Sequence, residues 1–157
     1  DLHGREHSFP TRRSSDPETG EVSIVSYTTL DDVGRVVNPM IVAGQVHGGI
    51  AQAVGQALME RVHYDPASGQ LFTGSLMDYS VPRADNFPRI DQHCDESTPC
   101  KINPLGAKGV GELGTVGGTP TVVNAVLDAL RPLGIQHLEM PLTSERIWQA
   151  LQSARAA

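Results

Sequence analysis

A glycine-rich segment carries the residues best suited to chemistry. Residues 106–120, GAKGVGELGTVGGTP, place one carboxylate, Glu112, and one ammonium, Lys108, among six glycines. Exposed backbone N–H groups of such a segment suit an anion, and a carboxylate in a cleft can act as a general base. The spacing matches neither a P-loop nor a dinucleotide fingerprint. From the residues alone, a solvent-facing Glu112 beside flexible glycines is the favoured alternative.

A second candidate surface lies on a predicted helix over residues 41–61, the longest in the chain. Apolar residues recur at helical spacing, and a second stripe consists of Gly48, Gly49, Gln52 and Gly55. Each glycine costs about 1 kcal/mol relative to alanine in a helix interior, so another backbone or a ligand is expected to approach closely. Packing against another helix is the favoured explanation. His47 beside this stripe is either a ligand or an ordinary packing residue.

The remaining elements must position these residues. A strand over Val22–Val25 follows a turn, and a hairpin ends in a second strand over Gln70–Val81. An extended edge segment is expected around Phe87–His93. The order of strands and helices predicts an α+β domain with a mixed sheet and packed helices.

The C-terminal third is predicted to contain two helices. The first begins at the N-cap Thr119, with Pro120 in its first turn, and ends near Leu130. A short strand, LGIQHLEMP, follows. The last helix is capped by Thr143 or Ser144, and its inward residues are Ile147, Trp148 and Leu151.

Composition excludes several classes of function. The net charge of -6 and scattered basic residues give no footprint for nucleic acid, and no apolar run is long enough to cross a bilayer. The histidines lack metal-ligand spacing, and no G-x-S-x-G nucleophile turn occurs. Cys94 and Cys100 are interpreted as free thiols of a reducing cytoplasm. No protein-bound metal is predicted.

The first sixteen residues resemble a translated sequencing adapter. The stretch HSFPTRRSSD, residues 7–16, is the translation of ten consecutive adapter codons, and DLH at residues 1–3 fits the same reading frame. Residues 1–16 are therefore interpreted as an artefact outside the fold. Residues 17–157 are predicted to form part of a domain that belongs to a larger subunit.

Four segments together carry a family resemblance. They are DDVGRVVNPMIVAGQVHGGIAQAVGQALME, GSLMDYSVPRAD, NPLGAKGVGELGTVGGTPTVVNAVLDAL and MPLTSERIWQAL. They resemble, in family order, the C-terminal part of the molybdenum-binding large subunit of the xanthine dehydrogenase and aldehyde oxidase family. The sequences of these segments are most similar to the large chain of aerobic-type carbon monoxide dehydrogenase. The likeness covers roughly residues 22–151.

The resemblance implies roles for individual residues. The glutamate of the family's KGVGE motif is the active-site general base and corresponds to Glu112. The glutamine of GQVHGG, which contacts the molybdopterin cofactor, corresponds to Gln45. Asn38, Lys108 and Gly109 occupy motif positions that line the pterin or nucleotide side of that cofactor.

The resemblance also implies cofactors and partners. Molybdopterin, in the cytosine dinucleotide form, would hold molybdenum, and a copper ion would be added if the carbon monoxide dehydrogenase likeness is decisive. FAD and a 2Fe-2S cluster would reside on two partner subunits, and the intact cytoplasmic oxidoreductase would act on a small molecule. A segment of this length is expected to be inactive alone. The rival hypothesis is a non-catalytic binding or assembly module with a glycine-rich packing loop.

Overall fold

The computed structural model describes residues 13–156 as three α-helices, four short strands and two 3-10 turns. The strands are β1 (Arg13–Ser15), β2 (Val22–Ile24), β3 (Tyr27–Asp31) and β4 (Ile90–Cys94). The helices are α1 (Pro39–Leu58), α2 (Leu113–Leu130) and α3 (Ser144–Ala156). The 3-10 turns are Ala84–Asn86 and Arg131–Leu133. The predicted α+β class is confirmed.

The strands form two separate pairs. β1 and β2 are antiparallel, with Ser14 opposite Ser23, whereas β3 and β4 are parallel, with Thr29 opposite Gln92. A parallel pair requires a long crossover, and α1 lies within the connection between β3 and β4. Of the residues interpreted as an adapter artefact, 1–12 lie outside the described part of the chain. The predicted boundary after residue 16 stays a prediction.

The helices α1 and α2 pack at very close range. A Cβ on Gly49 would lie 2.9 Å from the Gly114 Cα, and one on Gly118 would lie 2.6 Å from the Ala53 Cβ. Contacts advance in the same direction along both helices, so the two run parallel. The predicted explanation of the glycine stripe, packing against another helix, therefore holds for Gly49.

The core lies between this helix pair and α3. Apolar side chains that recur at helical spacing supply it, as expected for amphipathic helices. Its most deeply buried members on the three helices are Val46, Ile50, Ala53, Val54, Ala57, Val126, Leu130, Ile147 and Leu151. The prediction that Trp148 points inward is wrong, because its side chain is 42% exposed.

The start of α2 differs from the prediction. The helix begins at Leu113 instead of at Thr119, so Pro120 lies inside it. A proline in a helix interior costs about 3 kcal/mol, because it lacks an N–H and its ring clashes with a carbonyl. The close packing of Gly114 and Gly118 on α1 offsets this local penalty, which sequence spacing alone does not reveal.

Two predicted strand regions differ in the described structure. The predicted hairpin is present at its turn, where Tyr64 and Leu71 form an antiparallel bridge and the Phe72 N–H donates to the His63 carbonyl oxygen at 2.8 Å, but no strand continues to Val81. The segment 133–141 forms no strand, and no partner strand pairs with it within residues 13–156. By contrast, the predicted extended segment appears as β4, and the predicted cap Thr143 accepts a hydrogen bond from the Arg146 N–H at 3.3 Å.

Candidate functional site

The parallel helix pair brings two predicted site residues to one end. Gln45 lies one turn before Gly49 on α1, and Glu112 lies two residues before Gly114, which packs on Gly49. Both Gln45 and Glu112 are exposed. Residues far apart in sequence therefore lie on the same side of the Gly49–Gly114 contact, with Gln45 in the second turn of α1 and Glu112 at the N-cap of α2. We call this region the helix-pair end, defined by Gln45, Gly109 and Glu112.

Glu112 occupies the N-cap position of α2. Its carbonyl oxygen accepts hydrogen bonds from Thr115 N (3.1 Å) and Val116 N (3.0 Å), which begin the helix. The Glu112 side chain makes no capping hydrogen bond. The carboxylate is therefore not used to start the helix. In the described structure the Glu112 side chain is exposed, so it does not lie in a cleft of the kind that favours general-base chemistry.

The glycines of the segment divide into two groups. A Cβ at Gly109 or Gly111 would meet no atom within 4 Å, whereas a Cβ at Gly114 would lie 2.6 Å from the Val46 carbonyl oxygen. Gly114 is thus required for helix packing. Gly109 and Gly111 leave open space beside the backbone, so another molecule could approach them closely.

Asn38 begins α1. Its Oδ1 accepts a hydrogen bond from the Ile41 N–H at 3.2 Å, and Pro39 follows as the first helical residue. An Asn N-cap with proline at the next position is a common helix start. The predicted cofactor-lining residue therefore has a structural partner at the start of the helix that carries Gln45.

Lys108 is bound to another part of the chain. Its Nζ lies 2.6 Å from the Asp32 Oδ2 and donates to the Thr98 Oγ1 at 3.3 Å. Asp32 also accepts from the Thr98 hydroxyl (2.7 Å) and from the Gly34 N–H (3.0 Å). The hydrogen bonds from Lys108, Thr98 and Gly34 lower the pKa of Asp32 to about 2. Because the pKa is lowered in the folded state, ionised Asp32 contributes to the stability of the fold above about pH 3.8. This stabilisation is lost as the pH falls through about 2.

Threonine hydroxyl and glutamine amide groups lie beside the glycine contacts, along the interface between α1 and α2. Thr115 Oγ1 lies 3.1 Å from both the Gly49 carbonyl oxygen and the Gln52 Oε1. One turn further, Thr119 Oγ1 lies 3.1 Å from the Gln56 Oε1. Sequence reasoning missed this pairing because the predicted helix began only at Thr119, so Thr115 was assigned to the glycine-rich loop.

One cleft in the described part of the chain lies away from the helix-pair end. It has a volume of about 250 Å³ and is lined by Met59, Arg61, His63, Thr73, Asp78 and Ser80. Met59 follows the last residue of α1, so the cleft lies at the opposite end of that helix from Gln45. None of the predicted site residues lines it.

Metal-ligating side chains do not cluster in the described part of the chain. Among residues 13–156, no group of three or more His, Cys, Asp or Glu residues is positioned to hold a metal ion. His47 is exposed. Cys94 and Cys100 are free thiols, as predicted, and burial raises the pKa of Cys94. No helix within the same residues combines the length and apolar character needed to span a bilayer.

Comparison with known proteins shows which class of protein this chain is similar to. A model of the molybdopterin cofactor-binding domain matches residues 14–88. The carbon monoxide dehydrogenase large chain of Hydrogenophaga pseudoflava is 40% identical over 142 residues, which are 90% of this chain and 17% of that relative. The nicotine 6-hydroxylase large subunit of Paenarthrobacter nicotinovorans is 40% identical over 136 residues, which are 86% of this chain and 16% of that subunit.

A solved structure supports the same similarity. A crystal structure of Cu,Mo-CO dehydrogenase in a carbon monoxide-reduced state matches with a TM-score of 0.85 and 37% identity, over 91% of this chain and 18% of that one. The chain thus contains part of a molybdopterin-binding domain. Over most of its length it is similar to the large chains and large subunits of molybdenum-dependent oxidoreductases. It spans 17% of the length of the first relative above.

Proposed function

We propose that this chain supplies the general base and part of the molybdopterin site of a molybdenum-dependent oxidoreductase. The observation that supports this best is the helix-pair end, where exposed Gln45 and Glu112 lie on the same side of the Gly49–Gly114 contact between the parallel helices. Two motifs that are separate in sequence share one exposed surface there. A packing module would have no need to place an uncommitted carboxylate beside open glycines.

The residues at this surface suit a bound pterin. Gln45 offers an amide that can both donate and accept hydrogen bonds, as the edge of a pterin ring requires. Space beside Gly109 and Gly111 allows backbone approach. In this proposal Gln45 and Gly109 contact the cofactor, while Asn38 and Lys108 border the same side.

Glu112 would move the proton in the reaction. Its carboxylate oxygens accept a proton from the oxygen nucleophile as the substrate is attacked, which requires Glu112 to be ionised beforehand. The bound molybdenum centre would supply the redox chemistry, and Gln45 would orient the cofactor relative to Glu112.

The same proposal includes the partner subunits, the form of the cofactor and the substrate. Two of the relatives reported above are named as a large chain and a large subunit, which supports partner subunits in the complex. We propose that these partners carry FAD and a 2Fe-2S cluster, that the cofactor is the cytosine dinucleotide form, and that the complex is cytoplasmic. The substrate is a small molecule, and CO with a copper-containing centre is the variant favoured by the similarity to carbon monoxide dehydrogenase.

Replacing Gln45 by Ala tests the cofactor contact. The change removes one amide, so we expect about tenfold weaker cofactor retention, close to the upper value for a single hydrogen bond. Molybdenum content after gel filtration of the full-length protein measures this, and turnover per molybdenum should change much less. Gln136→Ala, at another exposed glutamine, is the control. Equal molybdenum content in Gln45→Ala and the parent would contradict the role.

A further inference from the structure

A three-residue clasp precedes the glycine segment that carries Glu112. It consists of Asp32, just after β3, Thr98, in the loop after β4, and Lys108. The Asp32 carboxylate accepts hydrogen bonds from the Lys108 ammonium (2.6 Å) and from the Thr98 hydroxyl (2.7 Å). Three distant parts of the chain therefore meet at one carboxylate. We call this group the Asp32 clasp.

Backbone contacts place the clasp at the base of the segment. The Lys108 N–H donates to the Val33 carbonyl oxygen (2.8 Å), and the Arg35 N–H donates to the Gly106 carbonyl oxygen (3.0 Å). Gly34 has φ +62° and lies against Gly106 so closely that a side chain would not fit. The turn after β3 is thus fixed against residues 106–108 by its main chain as well as by the clasp.

Beyond Lys108 the segment is held by few contacts. Val110 and Leu113 are partly buried against the core, whereas Gly109 and Gly111 have open space around them. Glycines lose the most conformational freedom on ordering, so Gly109 and Gly111 are costly to fix in one conformation. The position of Glu112 therefore depends on the contacts of Val110 and α2 and on the start of the segment, where the Asp32 clasp lies.

We propose that Asp32 is a positioning residue for Glu112, which acts by holding Lys108. The catalytic part of this inference rests on the proposed function. The side chains of Lys108 and Asp32 are 33% and 41% exposed, and a partly exposed ion pair contributes little to overall stability. The clasp therefore acts locally, by limiting the conformations of the glycine segment. In this assignment the Lys108 ammonium binds Asp32 and is not a direct cofactor ligand.

The first test measures local order without using activity. In the full-length protein, Asp32→Asn should speed amide hydrogen exchange in a peptide covering residues 107–113 by about tenfold, because local opening becomes easier. The matched control is Asp128→Asn, which removes an exposed ion pair with Arg131 at the other end of α2. Exchange that is unchanged in Asp32→Asn would overturn the clasp. Asp32→Glu keeps the charge and should recover part of the protection.

The second test is a double-mutant cycle with Lys108→Gln. If Lys108 acts through Asp32, each single change should lower kcat about tenfold with little change in KM or molybdenum content. The double variant should be no worse than either. Additive losses, or a loss of molybdenum in Lys108→Gln alone, would overturn the assignment. If Glu112→Gln retains turnover, the proposed function fails, and hydrogen exchange still decides whether the clasp orders the segment.

Discussion

Glu112→Gln is expected to abolish turnover while the molybdenum content of the full-length protein stays near that of the parent. Glutamine preserves the size of the side chain but cannot accept a proton. Loss of a general base lowers rates by about 10²- to 10⁴-fold. Because Glu112 is exposed and its side chain makes no capping hydrogen bond, the change should leave α2 intact. Steady-state turnover and metal analysis on the same preparation measure both quantities.

The control and the alternatives can be separated in one experiment. Glu139→Gln changes another exposed glutamate, outside the helix-pair end, and should leave turnover unaltered. A non-catalytic binding module would show little effect of Glu112→Gln on either quantity. Loss of molybdenum together with turnover would assign Glu112 to cofactor binding instead of proton transfer. Only a selective loss of turnover supports the base.

The sequence predicted the elements whose signals are local. Apolar spacing located α1 within a few residues, and Thr143 was recognised as a cap because cap chemistry depends on adjacent residues. The glycines of α1 indicated a close neighbour, and that neighbour is α2. What the sequence could not give is the direction of the two helices. Only their parallel packing places Gln45 beside Glu112.

The errors arose where long-range contacts override local preference. Glycines and Pro120 indicated a loop up to Thr119, yet packing on α1 keeps the chain helical from Leu113. The sequence predicted a hairpin strand over Gln70–Val81, but the pairing is limited to the bridge of Leu71 with Tyr64. Asp32 was missed for a similar reason. It lies 76 residues from Lys108, and no spacing rule relates them.

The neighbouring glycines Gly48 and Gly49 should respond in opposite ways to alanine. A Cβ at Gly48 meets no atom within 4 Å, so Gly48→Ala should stabilise the helix by about 0.5–1 kcal/mol. A Cβ at Gly49 would lie 2.9 Å from the backbone of both Gly114 and Thr115. Gly49→Ala should therefore destabilise the protein by about 1–3 kcal/mol, because backbone atoms cannot move aside as a flexible side chain can. Thermal unfolding of the cofactor-free protein compares the two.

The same pair of variants tests how the site depends on helix packing. Gly49→Ala pushes α2 away from α1 next to the point where Gln45 and Glu112 meet, so turnover should fall even in protein that remains folded. Shifts of about 1 Å at a reacting group can cost 10²-fold in rate. If Gly49→Ala unfolds at the same temperature as Gly48→Ala, the close glycine contact is not needed. If stability falls while turnover per molybdenum is unchanged, the distance between the helices does not set the position of Glu112.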